Sequence, residues 1–167
     1  MKLIAPNLRT VFNDGNNKEA REAMMLGSTL AGVAFSNASV ALVHGMSRPI
    51  GAIYHVPHGL SNAMLLPSVT KFSLSSAVKR YADCARAMGI ATSDDNDNVA
   101  NEKLLIELES LNSDLNVPTP EGFGIDKDDF MNRLEIMAEQ AIASGSPGNN
   151  PRVPTNNEIV DIYKTLW

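Results

Sequence analysis

The sequence predicts an all-α fold, a multi-helix bundle formed as a single domain over residues 1–167. Strand signals are weak, because aromatic residues make up 5% of the chain and no alternating apolar run is bounded by a hairpin turn. Apolar residues recur instead at the spacing of one helix face, between clusters of proline, glycine and asparagine. A chain of 167 residues can bury a sizeable core, and neither an internal repeat nor a flexible linker divides it.

The first long helix is predicted to start near Lys18, after the turn cluster at residues 13–17. An uncharged run continues this helix towards Met46. Pro49 and Gly51 are expected to end it, since proline lacks the amide donor that a helix interior needs.

Each of the remaining helices is predicted from an apolar stripe or from its flanking turn residues. The expected bounds are Pro57 to about Leu66, where Pro67 interrupts, Ser75 or Ser76 to Met88 with Gly89 as the stop, Val99 to Leu111, Asp126 to Ser144, and a last helix capped by Thr155. The clearest stripes are Leu104, Leu105, Leu108 and Leu111, and Phe130, Leu134, Met137 and Ala141. Glu158 follows Thr155 by three residues, which is the spacing of a capping box.

Charge and cysteine usage exclude several classes of function. The formal net charge is −5 and no cluster of lysine and arginine is present, so we expect no nucleic-acid partner. Cys84 is the only cysteine, which excludes an intramolecular disulfide and a zinc site with two thiolates. We expect Cys84 to be an inert core thiol. The first ten residues lack the apolar core of a secretory signal, and the cytoplasm is the expected location.

One uncharged run, from Ala23 to Ser47, is long enough to span a bilayer. Serine, threonine and asparagine residues interrupt it, and no aromatic belt flanks it. A helix without charges on any face is typical of one buried among other helices of a protein. We therefore expect no membrane span and a buried helix.

The three histidines, His44, His55 and His58, all fall within fifteen positions. On one continuous helix His44 and His58 would lie about 21 Å apart, so only a chain reversal could bring them to a shared metal ion. We expect His44 near the end of the first helix and His58 in the first turn of the second. The positive end of a helix dipole favours the neutral imidazole, which is the form that coordinates a metal.

Two histidines do not complete a metal site, because zinc or ferrous iron normally takes at least three protein ligands. No acidic residue lies between Glu22 and Asp83, so a carboxylate ligand would have to come from a distant helix or another chain. A structural alternative stays open. In it, His44 donates to a neighbouring carbonyl in the core, while His55 and His58 stand at a helix start.

Two further residues are candidates for binding small molecules. Arg48 follows His44 by four residues, which places both on one helix face if the helix extends that far. Arg48 is either a solvated cation at a helix end or an anion clamp for a substrate carboxylate or a cofactor pyrophosphate. Phe35 is a candidate for the substrate pocket, with a place in the core as its alternative. The segment 27–32 lacks the glycine pattern of a phosphate loop.

Three segments carry a resemblance to a known family: AGVAFSN at 31–37, VHGMSRPIGAIYHVPHGLSNAMLLPSV at 43–69 and GNNPR at 148–152. Over essentially its whole length, the chain resembles the helical C-terminal domain of the iron-containing, or group III, alcohol dehydrogenases, which share the dehydroquinate synthase-like fold. The run from His44 to Pro67 in the long segment is a far more specific signature of the family than a pair of histidines.

The resemblance implies a metal-dependent alcohol dehydrogenase. In that family an N-terminal α/β domain binds NAD or NADP, and the helical domain holds Fe(II) or zinc through one aspartate and three histidines. By motif match, His44 and His58 correspond to the last two histidines. The metal would lower the pKa of a small alcohol so that a hydride passes to the nicotinamide and an aldehyde is formed.

Three departures from the family pattern are visible. We expect these 167 residues to lack a counterpart of the aspartate and first histidine, and to lack a nucleotide-binding domain. The position four residues after His44, commonly a histidine near the nicotinamide, is Arg48, and a guanidinium cannot relay a proton at neutral pH. The Arg48 position therefore indicates an anionic or otherwise different substrate.

From these departures we expect no catalytic residue in the chain and no activity of the chain alone. The alternative is a non-catalytic helical module that self-associates or pairs with a separate nucleotide-binding chain, because truncation leaves an uncovered apolar surface. A related enzyme, such as a glycerol dehydrogenase or a dehydroquinate synthase, is disfavoured by the intact PHGLSNAMLLP run.

Overall fold

The computed structural model describes residues 1–167 and contains helices, turns and no strand, which confirms the all-α prediction. Ten α-helices follow one another along the chain. They are α1 Ala5–Asn13, α2 Lys18–Ala38, α3 Leu42–Tyr54, α4 His58–Ser73, α5 Val78–Met88, α6 Asp97–Asp114, α7 Pro120–Phe123, α8 Lys127–Asn132, α9 Leu134–Ala143 and α10 Asn156–Lys164. Two 3₁₀ turns, Leu74–Ser76 and Ser146–Asn149, complete the structure.

The helices gather into two compact units. The first unit comprises residues 1–38 and 77–115, and the second comprises residues 39–76 and 116–167. Compactness does not establish independent folding, so the expectation of a single domain over 1–167 stays a prediction.

The first unit contains α1, α2, α5 and α6, and small side chains dominate its core. Leu104 and Leu108 of α6 are buried against four alanines of α5, α6 and the loop between these helices, and the predicted stripe on α6 is thereby confirmed for these leucines. Arg9 of α1 donates to Glu107 at 2.6 Å and to Asp114 at 2.7 Å, which ties α1 to α6. The buried alanines are Ala82, Ala85, Ala91 and Ala100.

Helix α2 is largely exposed, so the expectation that its uncharged run is buried was wrong. Only Ala20 and Gly27 are buried, and Gly27 packs so closely on Ile4 that an added Cβ would lie 2.7 Å from the Ile4 Cγ1 atom. Helix α1 packs against α2. The exposed large side chains of α2 are Met25, Leu26, Leu30, Val33 and Phe35.

The first long helix does not continue to Met46, because the chain breaks after Ala38. Ser39 takes a left-handed conformation with φ of 66°, and the Asn149 amide donates to the Val40 carbonyl at 3.0 Å. Helix α3 then passes through Pro49, which therefore does not end a helix as predicted. Burial of Leu42, Met46 and Ile50 along one face of α3 offsets the hydrogen bond that Pro49 removes.

The second unit has a core of large side chains centred on Phe130. The centroid of its ring lies 5.3 to 6.2 Å from the ring centroids of Tyr54, Tyr163 and Trp167. The buried Tyr163 hydroxyl donates to the Met46 carbonyl at 2.7 Å, which fixes α10 to α3. The predicted stripe of Phe130, Leu134, Met137 and Ala141 is fully buried.

Two helix boundaries that were predicted from cap residues are present in the structure. Thr155 and Glu158 form the predicted capping box of α10, and Gly89 ends α5 as predicted with φ of 81°. Three predicted boundaries were wrong. The N-cap residue of α5 is Ala77, which offers no side-chain hydrogen bond, and not Ser75 or Ser76. Helix α4 continues through Pro67 to Ser73, and the segment expected as one helix from Asp126 is divided into α8 and α9 at Arg133.

No single helix is both long enough and apolar enough to cross a membrane. Helices α2 and α3 pass that test only when they are counted together, by length and composition.

Candidate functional site

A chain reversal between α3 and α4 brings two of the histidines together. His44 lies in the first turn of α3 and not, as was predicted, near the end of the first long helix, whereas His58 begins α4 as predicted. From His44 the helix rises about 15 Å to its last residue. His55 then takes a left-handed conformation, with φ of 57° and ψ of 25°, and turns the chain around.

The connector returns along α3 and delivers His58 to the start of that helix. A Cβ atom added to Gly51 would lie 3.3 Å from the Val56 carbonyl oxygen, so the connector packs against α3. The left-handed backbone at His55 turns the chain, and the absence of a side chain at Gly51 gives the connector room to pack on α3.

The two imidazole rings face each other at short range. The ring centroids of His44 and His58 are 5.2 Å apart and the ring planes are tilted by 53°. His44 is half-buried, and its desolvation lowers its pKa, with the charges of His58 and Arg48 lowering it further. Neutral imidazole is thus the favoured form of His44, and neutral imidazole is the form that coordinates metals.

Close packing holds the first turn of α3, and with it His44, in place. A Cβ on Gly45 would lie 2.9 Å from Cδ of Pro147 and 3.4 Å from the Ala141 carbonyl oxygen. Only glycine allows this approach of α3 to α9 and the 3₁₀ turn at 146–149. The glycine after His44 is therefore a packing requirement of the site.

Asn62 is a site residue that the sequence analysis missed. Its amide nitrogen donates to the His58 backbone carbonyl at 2.7 Å and lies 3.3 Å and 3.1 Å from the two ring nitrogens of His58. The bond to the carbonyl fixes the orientation of the amide, and it leaves the buried Oδ1 atom of Asn62 without a hydrogen-bond partner. The signal was available, since Asn62 follows His58 by four residues on a helix.

The donor set fits part of a metal site. Imidazole nitrogens suit divalent zinc and iron, and the chain contains no group of three or more histidine, cysteine, aspartate or glutamate side chains placed to hold a metal ion. The carboxylate ligand that the sequence analysis sought on a distant helix is therefore not supplied by this chain. His44 and His58 offer two of the three or more protein ligands that such an ion takes.

The structural alternative for the histidines was wrong in two respects. The ring of His44 donates to no carbonyl and instead lies beside the ring of His58. His55 is exposed at the end of α3 and does not stand at a helix start. Its contribution is the left-handed backbone of the reversal.

Arg48 lies on α3 one turn after His44, and its side chain is exposed. The helix continues for six residues beyond Arg48, so the interpretation as a helix-end cation was wrong. Arg48 forms neither an ion pair nor a hydrogen bond. The anion-clamp interpretation of Arg48 stays a prediction.

Phe35 and Cys84 both belong to the first unit. Phe35 is 56% exposed near the end of α2, so its placement in the core was wrong, and its place in a substrate pocket stays a prediction. Cys84 is half-buried against the alanine-rich core, and burial raises the pKa of its thiol. A raised pKa reduces the thiolate fraction, which suits the expected inert thiol.

Comparison with known proteins gives consistent matches over the whole chain. The family model described as Fe-containing alcohol dehydrogenase family, C-terminal, matches residues 1–167. Among curated proteins, 1,3-propanediol dehydrogenase of Citrobacter freundii is 36% identical over 168 residues, covering 100% of this chain and 42% of its own length. Lactaldehyde reductase of Escherichia coli (strain K12) is 36% identical over 169 residues, with the same coverage of 100% and 42%.

Solved structures share the fold. A crystal structure of 1,3-propanediol oxidoreductase matches with a TM-score of 0.92 and 35% identity, covering 99% of this chain and 43% of that one. The alcohol dehydrogenase from Oenococcus oeni matches with a TM-score of 0.91 and 33% identity, again covering 99% and 43%. The chain thus spans about two-fifths of the length of the curated relatives it matches.

Proposed function

Because the chain belongs to the Fe-containing alcohol dehydrogenase family, we propose that it forms the helical, metal-binding part of an NAD(P)-dependent alcohol dehydrogenase. The reaction transfers a hydride from the carbinol carbon of a small alcohol to NAD⁺ or NADP⁺, releases the hydroxyl proton and yields the aldehyde or ketone. The observation that carries the proposal is the meeting of the His44 and His58 rings at 5.2 Å.

The two imidazoles would each give one nitrogen to an Fe(II) or Zn(II) ion. When bound, such an ion supplies a Lewis acid for the alcohol oxygen. Gly45 supports this role by letting the first turn of α3 pack closely, and Asn62 by bonding the backbone of His58. The remaining ligands would come from a segment or chain beyond these residues, since no third acidic, cysteine or histidine side chain joins the pair.

The nicotinamide nucleotide would likewise be held mainly outside these 167 residues. Relatives include an NADPH-dependent butanol dehydrogenase and an NAD-dependent methanol dehydrogenase, so both nucleotides occur among them. Arg48 and Phe35 are the proposed contributions of this chain to cofactor and substrate binding. We propose that the chain acts in the cytoplasm and has no dehydrogenase activity by itself.

The test is a titration of the 167-residue chain with Zn(II), followed by NMR of the three histidine rings. We expect the His44 and His58 signals to shift together with one dissociation constant, while the His55 signals stay unchanged. His44→Ala and His58→Ala should each abolish the joint shift, and His55→Ala serves as the matched control that retains it. Independent shifts of the two rings, or loss of binding in His55→Ala, would contradict the proposed ligand pair.

The exposed face of α2 favours a second candidate function, that of a non-catalytic module that associates with itself or with a separate chain. Leu26, Leu30 and Val33 recur on one side of this helix and are each more than half exposed. Light scattering should then show a dimer or larger species that Leu30→Ser reduces to a monomer, with the exposed polar-face change Glu19→Gln as control. A monomer at all concentrations of the unchanged chain would exclude self-association.

A further inference from the structure

We propose that Arg48 binds an anionic group, a carboxylate or a phosphate oxygen, on the molecule that occupies the site beside His44 and His58. The inference rests on the proposed function, because the histidine pair marks where the reacting molecule would lie. It goes further by specifying the chemical class of that molecule: one that carries an oxyanion a short distance from the metal-binding nitrogens.

Helix geometry places Arg48 on the side of α3 that carries His44. The helix runs without a break from Leu42 to Tyr54, and residues four apart on a helix have Cβ atoms about 5 to 6 Å from each other. The side chain of Arg48 is exposed, so it can swing towards a ligand without opening the core. A small molecule bound at the imidazole pair therefore lies within reach of the guanidinium.

Arg48 differs from the other arginines of the second unit. Arg133 donates to Asp129 at 2.9 Å, and Arg152 donates to Glu158, whereas Arg48 has no carboxylate partner. Neither α3 nor α4 contains an acidic residue. The five N–H donors of the Arg48 guanidinium are therefore free for a ligand.

The group formed by Arg48, His44 and His58 has only cationic or neutral members. A divalent ion at the imidazoles would add positive charge between two helices that contain no acidic residue, even though the whole chain carries a net charge of −5. An oxyanion supplies that counter-charge and accepts two parallel hydrogen bonds from a guanidinium. A neutral alcohol of the same shape would leave the guanidinium unpaired.

Two sources share this chemistry: the carboxylate of a short hydroxy acid, and the phosphate groups of the nucleotide. The test uses 3-hydroxybutyrate for the first, inorganic pyrophosphate for the second, and 1,3-butanediol as the uncharged analogue of the hydroxy acid. Binding is followed by NMR on the Arg48 side-chain N–H signal of the unchanged chain and on the His44 ring signals of every variant. We expect the Arg48 signal to shift with at least one of the two anions and not with the diol.

Matched variants separate a specific contact from general charge attraction. Arg48→Gln should weaken anion binding by about tenfold or more, because a charge-assisted hydrogen bond is lost, and Arg48→Lys should recover part of it. Arg80→Gln makes the same charge change at an exposed arginine of α5 and should have no effect. Equal affinity in Arg48→Gln and the unchanged chain, or no binding of either anion, would overturn the proposal.

The outcomes also separate this proposal from the proposed function. Zn(II) binding by the histidine pair is measured in the same Arg48→Gln sample and should remain. If the unchanged chain binds the anion but its histidine pair does not bind Zn(II), the dehydrogenase assignment fails and the proposed anion site at Arg48 remains. A shift with 3-hydroxybutyrate alone would assign the anion to the substrate, and a shift with pyrophosphate alone would assign it to the nucleotide.

Discussion

The two units of the chain reach compactness by different means. The second unit buries Phe130, Tyr163, Leu42 and other large side chains completely, while the first builds its core mainly from alanines and leaves α2 exposed. Buried apolar area is the main favourable term in folding, so the second unit has more stabilisation to lose. The difference indicates that the histidine pair lies on the better packed part of the chain.

Each unit contains its own spectroscopic or chemical probe. Trp167, the only tryptophan, packs against Phe130 in the second unit, and Cys84, the only cysteine, is half-buried in the first. Tryptophan fluorescence therefore follows unfolding of the second unit, and thiol labelling follows opening of the first. Denaturant titrations of the unchanged chain should show Cys84 becoming reactive before the fluorescence of Trp167 changes.

The largest effect is expected at the centre of the second core. Phe130→Ala should lower the stability of the second unit by about 3 to 5 kcal/mol, because it removes a fully buried ring and leaves a cavity. The midpoint of the Trp167 fluorescence transition should fall, with little change in Cys84 labelling. Leu104→Ala is the counterpart in the first unit and should advance Cys84 labelling instead. Equal movement of both probes in both variants would refute the distinction between the units.

The next effect concerns the glycines that follow the two paired histidines. Gly45→Ala should cost about 1 to 3 kcal/mol, since its Cβ would overlap Pro147, and it should displace His44. Gly59→Ala meets nothing within 4 Å and should be neutral or stabilising, because alanine favours a helix. Thermal unfolding of both variants measures the contrast, and a loss of stability in Gly59→Ala similar to that in Gly45→Ala would contradict it.

A smaller effect should appear as a pH dependence of the cap of α10. The Thr155 backbone amide and hydroxyl, with Arg152, hold the pKa of Glu158 below its ordinary value. A carboxyl with a lowered folded pKa stabilises the protein above its unfolded pKa, and this contribution is lost as pH falls through the folded value. Glu158→Gln should therefore lower stability at neutral pH and flatten the acid limb of the stability curve. An unchanged acid limb would show that the cap carries no such contribution.

The smallest effect is expected at the left-handed residue of the reversal. His55→Gly should stabilise the second unit by about 0.5 to 1 kcal/mol, because glycine adopts a positive φ without the Cβ penalty that histidine pays. His55→Val, with a branched Cβ, should have the opposite effect. Chemical denaturation followed on Trp167 compares the two, and destabilisation by His55→Gly would indicate that the imidazole itself contributes contacts.

Local signals predicted much of the fold. The capping box at Thr155 and Glu158, the glycine stop at Gly89 and the leucine stripe of α6 depend on residues within one helix, and all three are present. Wrong predictions occurred where distant packing overrides local preference. Helix α3 tolerates Pro49 because its buried face packs on the core of the second unit, a contact that a local pattern cannot reveal.

The sequence predicted that His44 and His58 could be brought together by a chain reversal, but not where the chain reverses. The spacing of His44 and His58 required a reversal, which the sequence placed between breaks at residues 49–51 and 56–57, whereas α3 runs on to Tyr54 and the chain turns at His55. A left-handed histidine has no strong sequence signature, since most residues at positive φ are glycine or asparagine. The exposed state of α2 could not be predicted either, because an uncharged helix can be covered by its own chain or by something else.

The reversal at His55 also bears on the order in which the molecule assembles. The two imidazoles are only fourteen positions apart in the chain, so bringing them together closes a short loop at a small entropic cost. Contacts of this kind form quickly, whereas the approach of α10 to α3 must bridge more than a hundred residues. The helical hairpin of α3 and α4 can thus unite His44 and His58 early in folding, and the later long-range contacts serve to hold that arrangement.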